Sequence, residues 1–132
     1  MNRVVHFEIQ AEDTERAAKF YREVFGWSIE KYPGLGWEYW GVMTAPKDSK
    51  DPGINGGLLK RPTKTLPKEC GANSFVCTVQ VDDYEATSTK ILAAGGTVAM
   101  PKFALVGMAW QGYFLDTEGN TFGLHQTDAE AR

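Results

Sequence analysis

VVHFEIQAEDTERAAKFYREVFGW, residues 4–27, reads as a strand, an aspartate turn, a helix and a glycine stop. SFVCTVQVDDYEATSTKILAAGGTV, residues 74–98, reads the same way. Asp13 opens the first helix and Asp83 the second; Gly26 closes one and Gly95-Gly96 the other. Setting Asp13 on Asp83 brings Glu15 onto Glu85, Tyr21 onto Ile91 and Gly26 onto Gly96. The repeat is one of pattern rather than of letters, and a duplicated strand–helix unit followed by further strands restricts the fold.

The first helix is the clearest element. Asp13 is a good N-cap, because its carboxylate accepts hydrogen bonds from N–H groups that the first turn leaves without partners. Ala17, Phe20, Tyr21, Val24 and Phe25 recur at helical spacing and form one apolar stripe. Glu15 and Lys19 are placed as an exposed i,i+4 pair. The second helix carries a weaker stripe, Tyr84, Thr87, Ser88, Ile91 and Leu92.

Strand-like segments follow each helix. In the first half these are Trp27 to Tyr32, Gly36 to Thr44 and Ile54 to Leu59. In the second they are Thr97 to Met100, Gly107 to Leu115 and Asn120 to Gln126, the last entered through the turn Asp116-Thr117-Glu118-Gly119. The order is β-α-β-β-β, linker, β-α-β-β-β. The first module covers about residues 1–60, the linker about 61–71 and the second module about 72–132.

Composition sets limits. The 132 residues suit a single soluble α+β domain, and the net charge of −3 argues against nucleic acid or an anionic membrane as partner. Lys60, Arg61, Lys64 and Lys68 are spaced among prolines and read as a solvated loop. No apolar run approaches a membrane span, and MNRVVHFEI is already strand-like, so no signal peptide is expected. Cys70 and Cys77 make no disulfide framework; Cys77 is expected as a small buried residue within a strand, and the cytoplasm as the compartment. Nucleophile elbows, phosphate loops and zinc spacings are missing.

The order resembles the glyoxalase, bleomycin-resistance and extradiol-dioxygenase superfamily, the vicinal oxygen chelate proteins. HFEIQAEDTERAAKFYREVFGW is similar to the family's first module, FLDTEGNTFGLHQ to its closing D-x-x-G-N hairpin, and INGGLL to the last strand of the first module. The resemblance implies two tandem βαβββ modules whose mixed sheet curls around a cup, with the helices outside. It also implies a divalent metal held by His, Glu or Gln from the first and last strands of each module.

Those positions can be read one by one. The first-strand ligand lies seven residues before the helix-opening Asp, which is His6; the matching residue of the second module is Val76. The closing-strand Glu lies seven residues after the turn Asp, which is Gly123, and the position in INGGLL is Gly57. His6 alone keeps a donor, so neither metal nor other cofactor is expected; Zn, Ni, Mn or Fe would need a non-standard set such as His6, Glu8 and His125. Strand alternation points Val5, Phe7 and Ile9 toward the helix and His6, Glu8 and Gln10 toward the cup.

Plainer readings stand beside these. His6 is equally a core histidine, Glu8 and Gln10 suit a solvated strand face, and the aromatics Trp37, Tyr39, Trp40, Trp110, Tyr113 and Phe114 divide between core, cup and subunit interface. The expected cavity lining is His6, Glu8, Gln10, Trp37, Tyr39, Val76, Thr78, Gln80, Trp110, Gly123 and His125. The leading reading is a small-molecule-binding protein that uses no metal. The alternatives are a metal-dependent lyase or dioxygenase with Glu8 as base, and a non-catalytic module whose aromatic surface serves self-association. A homodimer is expected in each case.

Overall fold

The computed structural model describes residues 6–34, 36–51, 53–62, 64–65, 67 and 76–132. Val4 and Val5 of the first predicted strand, Lys68 and Cys70 of the linker, and Ser74-Phe75 of the second module lie outside the described residues. The chain divides into two compact units, Met1–Thr65 and Leu66–Arg132. Each carries one helix and one four-stranded mixed sheet.

The first unit runs β1 (Phe7–Ala11), α1 (Thr14–Phe25), β2 (Ser28–Lys31), β3 (Tyr39–Met43) and β4 (Gly56–Lys60). Its sheet order is β1-β4-β3-β2, with β1 parallel to β4 and the other pairs antiparallel. The second unit repeats the plan with β5 (Thr78–Gln80), α2 (Tyr84–Ala93), β6 (Thr97–Leu105), β7 (Ala109–Leu115) and β8 (Thr121–Thr127), in the order β5-β8-β7-β6. This is the βαβββ arrangement expected twice.

The local signals account for the elements. Asp13 accepts from the Arg16 N–H at 2.9 Å and Gly26 takes φ +70 at the C-cap, a conformation that costs other residues about 1 kcal/mol or more. Asp83 caps α2 in the same way through Ala86. Ala17, Phe20, Tyr21 and Val24 are buried against the sheet, where Ile9, Ile29, Trp40, Val42 and Leu58 form the facing layer. Tyr21, Phe25 and Trp27 stack at the end of α1, with Tyr21 and Trp27 nearly parallel at 5.3 Å. The turn after β7 needs its Asp and Asn: Asp116 accepts from the Glu118 and Asn120 N–H groups and from the Asn120 amide, and Gly119 holds φ +77. Among the described residues no helix is long and apolar enough to cross a membrane.

Several expectations need correction. Leu92 is half exposed, leaving Tyr84 and Ile91 as the buried face of α2. Lys19 lies 3.8 Å from Glu23, one turn onward rather than back toward Glu15. β6 is longer than expected and runs through Pro101, which an edge strand tolerates, with register shifts on either side of Met100. Cys77 is exposed and precedes β5 rather than being buried within a strand. Lys60 and Arg61 are tied down: Lys60 donates to the Glu12 carbonyl, and Arg61 donates to Gln10 O from its guanidinium and to Ala11 O from its backbone.

Glu38 staples α1 to this sheet. Its carboxylate accepts from the Thr14 hydroxyl at the first helical residue and from Trp40 Nε1 at 3.0 Å, with Lys31 3.7 Å away. These bonds, led by that from Thr14, hold the carboxyl below its ordinary range. A lowered carboxyl pKa contributes stability that is complete above the unfolded value and disappears as pH falls through the folded one. Glu38→Gln is therefore expected to lower the melting temperature at neutral pH, by about 1–2 kcal/mol of stability. Its gap from the parent should close on acidification. Melting curves of both proteins from neutral to strongly acidic pH check this; a constant gap would show that Glu38 acts only through shape.

Candidate functional site

The sheet of the first unit buries one face under α1 and leaves the other open. Residue parity assigns Phe7, Ile9 and Ala11 to the helix side and Glu8 and Gln10 to the open side. Burial follows that division: Ile9 and Ala11 are buried, Glu8 is exposed and Gln10 is intermediate. The register then lines up one row across all four strands. Glu8 pairs with Gly57, Gly57 with Gly41 and Gly41 with Glu30. Two glycines occupy the centre of the open face and a carboxylate closes each end.

The glycines are there because rings lie on them. A Cβ at Gly57 would fall within 3 Å of the Tyr39 hydroxyl oxygen and two of its ring carbons, and one at Gly41 would fall 2.5 Å from Tyr32 Cε2. The two rings are 6.0 Å apart between centroids and tilted by 54°. Tyr39 Oη reaches to 3.5 Å from His6 Nε2, a long contact at the limit of a hydrogen bond. The Tyr39 phenol is pushed above its ordinary pKa, first by burial and then by the Glu8 carboxylate and Tyr32, so it is a proton donor at neutral pH. A cavity of about 500 Å³ opens beside the pair, lined by His6, Glu30, Tyr32, Tyr39, Met43 and Asn55 among others. A second hollow of about 490 Å³ lies between Tyr32 and the loop that carries Trp37 and Glu38.

The second unit repeats this construction with other letters. On its open face Thr78 pairs with Gly123, and Gln80 with His125, which in turn pairs with Gln111. Tyr39 and Gln111 hold equivalent places, each two residues before the strand partner of the covered glycine. A Cβ at Gly123 would fall within 3 Å of Thr78 Oγ1 and Gln111 Nε2. Gln111 is buried, and its Oε1 accepts from His125 Nδ1–H at 2.9 Å.

The predicted site residues therefore fall into groups. His6, Glu8, Gln10 and Tyr39 share the open side of the first sheet; Thr78, Gln80, Gly123 and His125 share that of the second. Val76 is half-buried just before β5. Trp37 belongs to neither face: it sits on the β2–β3 loop, 66% exposed, and lines the second hollow. Trp110 must be moved from the cavity to the helix side of its sheet. It shares parity with Gly112 and Phe114, donates from Nε1 to Asp128 at 2.9 Å, and carries Lys102 over its ring at 4.5 Å. Trp40 and Phe114 are core. Tyr32, Glu30 and Gln111 are the site residues that sequence reasoning missed. The available signal was glycine inside a strand, which marks a close approach by another group.

The metal that the resemblance implies does not fit these residues. Gly57, Gly123 and Val76 offer no donor. The space that a carboxylate stem would need at both glycines is taken by Tyr39 and by Gln111 with Thr78. Among the described residues no group of three or more His, Cys, Asp or Glu is gathered for a metal ion.

Comparison with known proteins gives a consistent picture. Residues 3–43 match the family described as bleomycin resistance protein-like N-terminal. A glyoxylase-like domain-containing protein of Didymella fabae is 34% identical over 123 residues, spanning 89% of this chain and 88% of its own. CFP32 of Mycobacterium tuberculosis is 28% identical over 92% of this chain, which spans only 44% of that protein. Among solved structures, a glyoxylase/bleomycin resistance protein/dioxygenase domain from Frankia sp. EAN1pec superposes with a TM-score of 0.72 at 12% identity, covering 97% of this chain and 99% of that one. TnmS3, an antibiotic-binding protein from Streptomyces sp. CB03234, gives 0.64 at 26% identity, covering 97% and 98%.

Proposed function

The chain belongs to the glyoxalase, bleomycin-resistance and dioxygenase superfamily of vicinal oxygen chelate proteins, and from that premise we propose that it binds a planar aromatic small molecule without using a metal. The observation that carries this is the pair of tyrosine rings bedded on Gly57 and Gly41 beside an open cavity of about 500 Å³. Ligand cavities of this size suit drug-sized molecules, and offset or edge-on ring contacts add about 0.5–1.5 kcal/mol beyond the area they bury. The Tyr39 hydroxyl and the His6 ring stand where they can orient a polar group of the ligand. TnmS3 supports the reading, since its name describes it as binding an antibiotic.

Metal removal tests the proposal. Fluorescence titration with a neutral tricyclic aromatic such as acridine, before and after exhaustive dialysis against EDTA, is expected to give one saturable curve with an unchanged Kd. Loss of binding in the chelated protein, restored by Zn, Ni, Mn or Fe, would return the chain to the metal-dependent members of the superfamily.

A further inference from the structure

We infer that the ligand of this face is a cation: an amine- or amidinium-bearing planar aromatic whose charged ends are met by Glu8 and Glu30. The inference rests on the reading that the open face binds a planar aromatic, and adds the charge of the molecule to it.

Three observations carry it. First, Glu8 and Glu30 close the two ends of the row Glu8, Gly57, Gly41, Glu30, both on exposed strand positions of the open side. Three strand spacings separate them, about 14 Å between backbones, enough for a fused ring system to lie between them on the tyrosines. Second, neither carboxylate has an ion-pair partner among the described residues, whereas the neighbouring cations are used elsewhere. Lys31 stands 3.7 Å from Glu38 and over the Trp40 ring, Lys60 donates to the Glu12 carbonyl and Arg61 to that of Gln10. Third, the floor between the acids is made of two phenol rings, whose faces attract cations. Of the cationic side chains that line this cavity among the described residues, Lys31 is turned to Glu38 and the Trp40 ring, and His6 lies beside Tyr39 rather than between the carboxylates. Carboxylates and ring faces together favour positive charge and disfavour an anion of the same shape.

A matched pair of probes separates charge from shape. Proflavine carries an amine at each end of the acridine skeleton and is protonated at mildly alkaline pH, where acridine is neutral. Titrated into the nucleic-acid-free protein, proflavine is expected to bind roughly tenfold more tightly than acridine. Its affinity should fall with added salt while that of acridine does not. Glu8→Gln with Glu30→Gln should remove the difference and the salt dependence of proflavine binding, and Glu15→Gln with Glu23→Gln on the outer face of α1 should leave both in place. Equal affinities for the two probes, or a preference that survives Glu8→Gln with Glu30→Gln, would overturn the inference while leaving aromatic binding in place. Failure of both probes to bind would overturn the underlying reading as well. The salt dependence on the unmodified chain decides the matter should the double variant fold poorly.

Discussion

Tyr32→Ala combined with Tyr39→Ala is expected to weaken binding of a planar aromatic by about a hundredfold, close to 2.7 kcal/mol, while the melting temperature moves by only a few degrees. The estimate comes from stacking, where removal of one ring beneath a planar group costs roughly 1–3 kcal/mol. Stability changes little because both rings lie on the open side of the sheet, Tyr32 being 57% exposed, and each covers a glycine that needs no side-chain partner. Each single variant should give part of the loss, with Tyr39→Phe milder than Tyr39→Ala, since phenylalanine keeps the ring and drops only the hydroxyl that faces His6. Titration of the four variants and the parent with acridine measures the series. A double variant that binds like the parent would remove the tyrosine floor from the account.

The second large effect is on folding. Gly56→Ala is expected to destabilise by about 3 kcal/mol, and Gly57→Ala, one residue away, by about half as much. At Gly56 the added Cβ would fall within 3 Å of the Phe7 carbonyl oxygen on the paired strand β1, as well as of the Phe7 ring. Backbone held in a parallel ladder cannot step aside without breaking pairing, and Phe7 also packs toward Trp27 at 5.9 Å. At Gly57 the obstacle is the outer end of Tyr39, which can swing into the open cavity. Gly57→Ala should thus cost the fold less than Gly56→Ala and damage the site, lowering acridine affinity about tenfold as Tyr39 is lifted from its bed. Chemical denaturation of both variants checks the ranking; equal losses would mean that the β1–β4 ladder yields more readily than its register suggests.

The elements that were legible in the sequence are those decided by short-range chemistry. Asp13 and Asp83 announce helix starts through the N–H groups beside them, Gly26 announces a left-handed stop, and Asp116, Gly119 and Asn120 specify a turn whose bonds span four residues. The faces of Glu8 and Gln10 follow from parity alone. Residues whose role depends on a neighbouring strand were not legible. Nothing local to Gly57 says that Tyr39 lies on it, or that Gln111 covers Gly123, because both facts require the strand register. Trp110 was misassigned for a related reason: β7 carries large residues on both faces, so Tyr113 and Phe114 give no parity signal until the ladder with β8 is known. Cys77 looked buried because β5 was expected to start earlier than Thr78.

The absence of donors at Val76, Gly57 and Gly123 was legible too, but its physical meaning was not. A glycine that merely lost a carboxylate would leave a gap, whereas these two glycines are overlaid by side chains from adjacent strands at equivalent places in the repeat. Restoring a metal ligand at either position therefore means displacing Tyr39 or Gln111 as well as changing the glycine.

The most direct test maps the binding face itself. Acridine is titrated into nitrogen-15-labelled protein held in EDTA, and amide shifts are followed by NMR. The account predicts saturable shifts concentrated at Gly41, Gly57, Tyr32 and Tyr39, with the outer residues of α1 unmoved. Shifts centred elsewhere, or shifts at these residues only after a divalent metal is added, would contradict it.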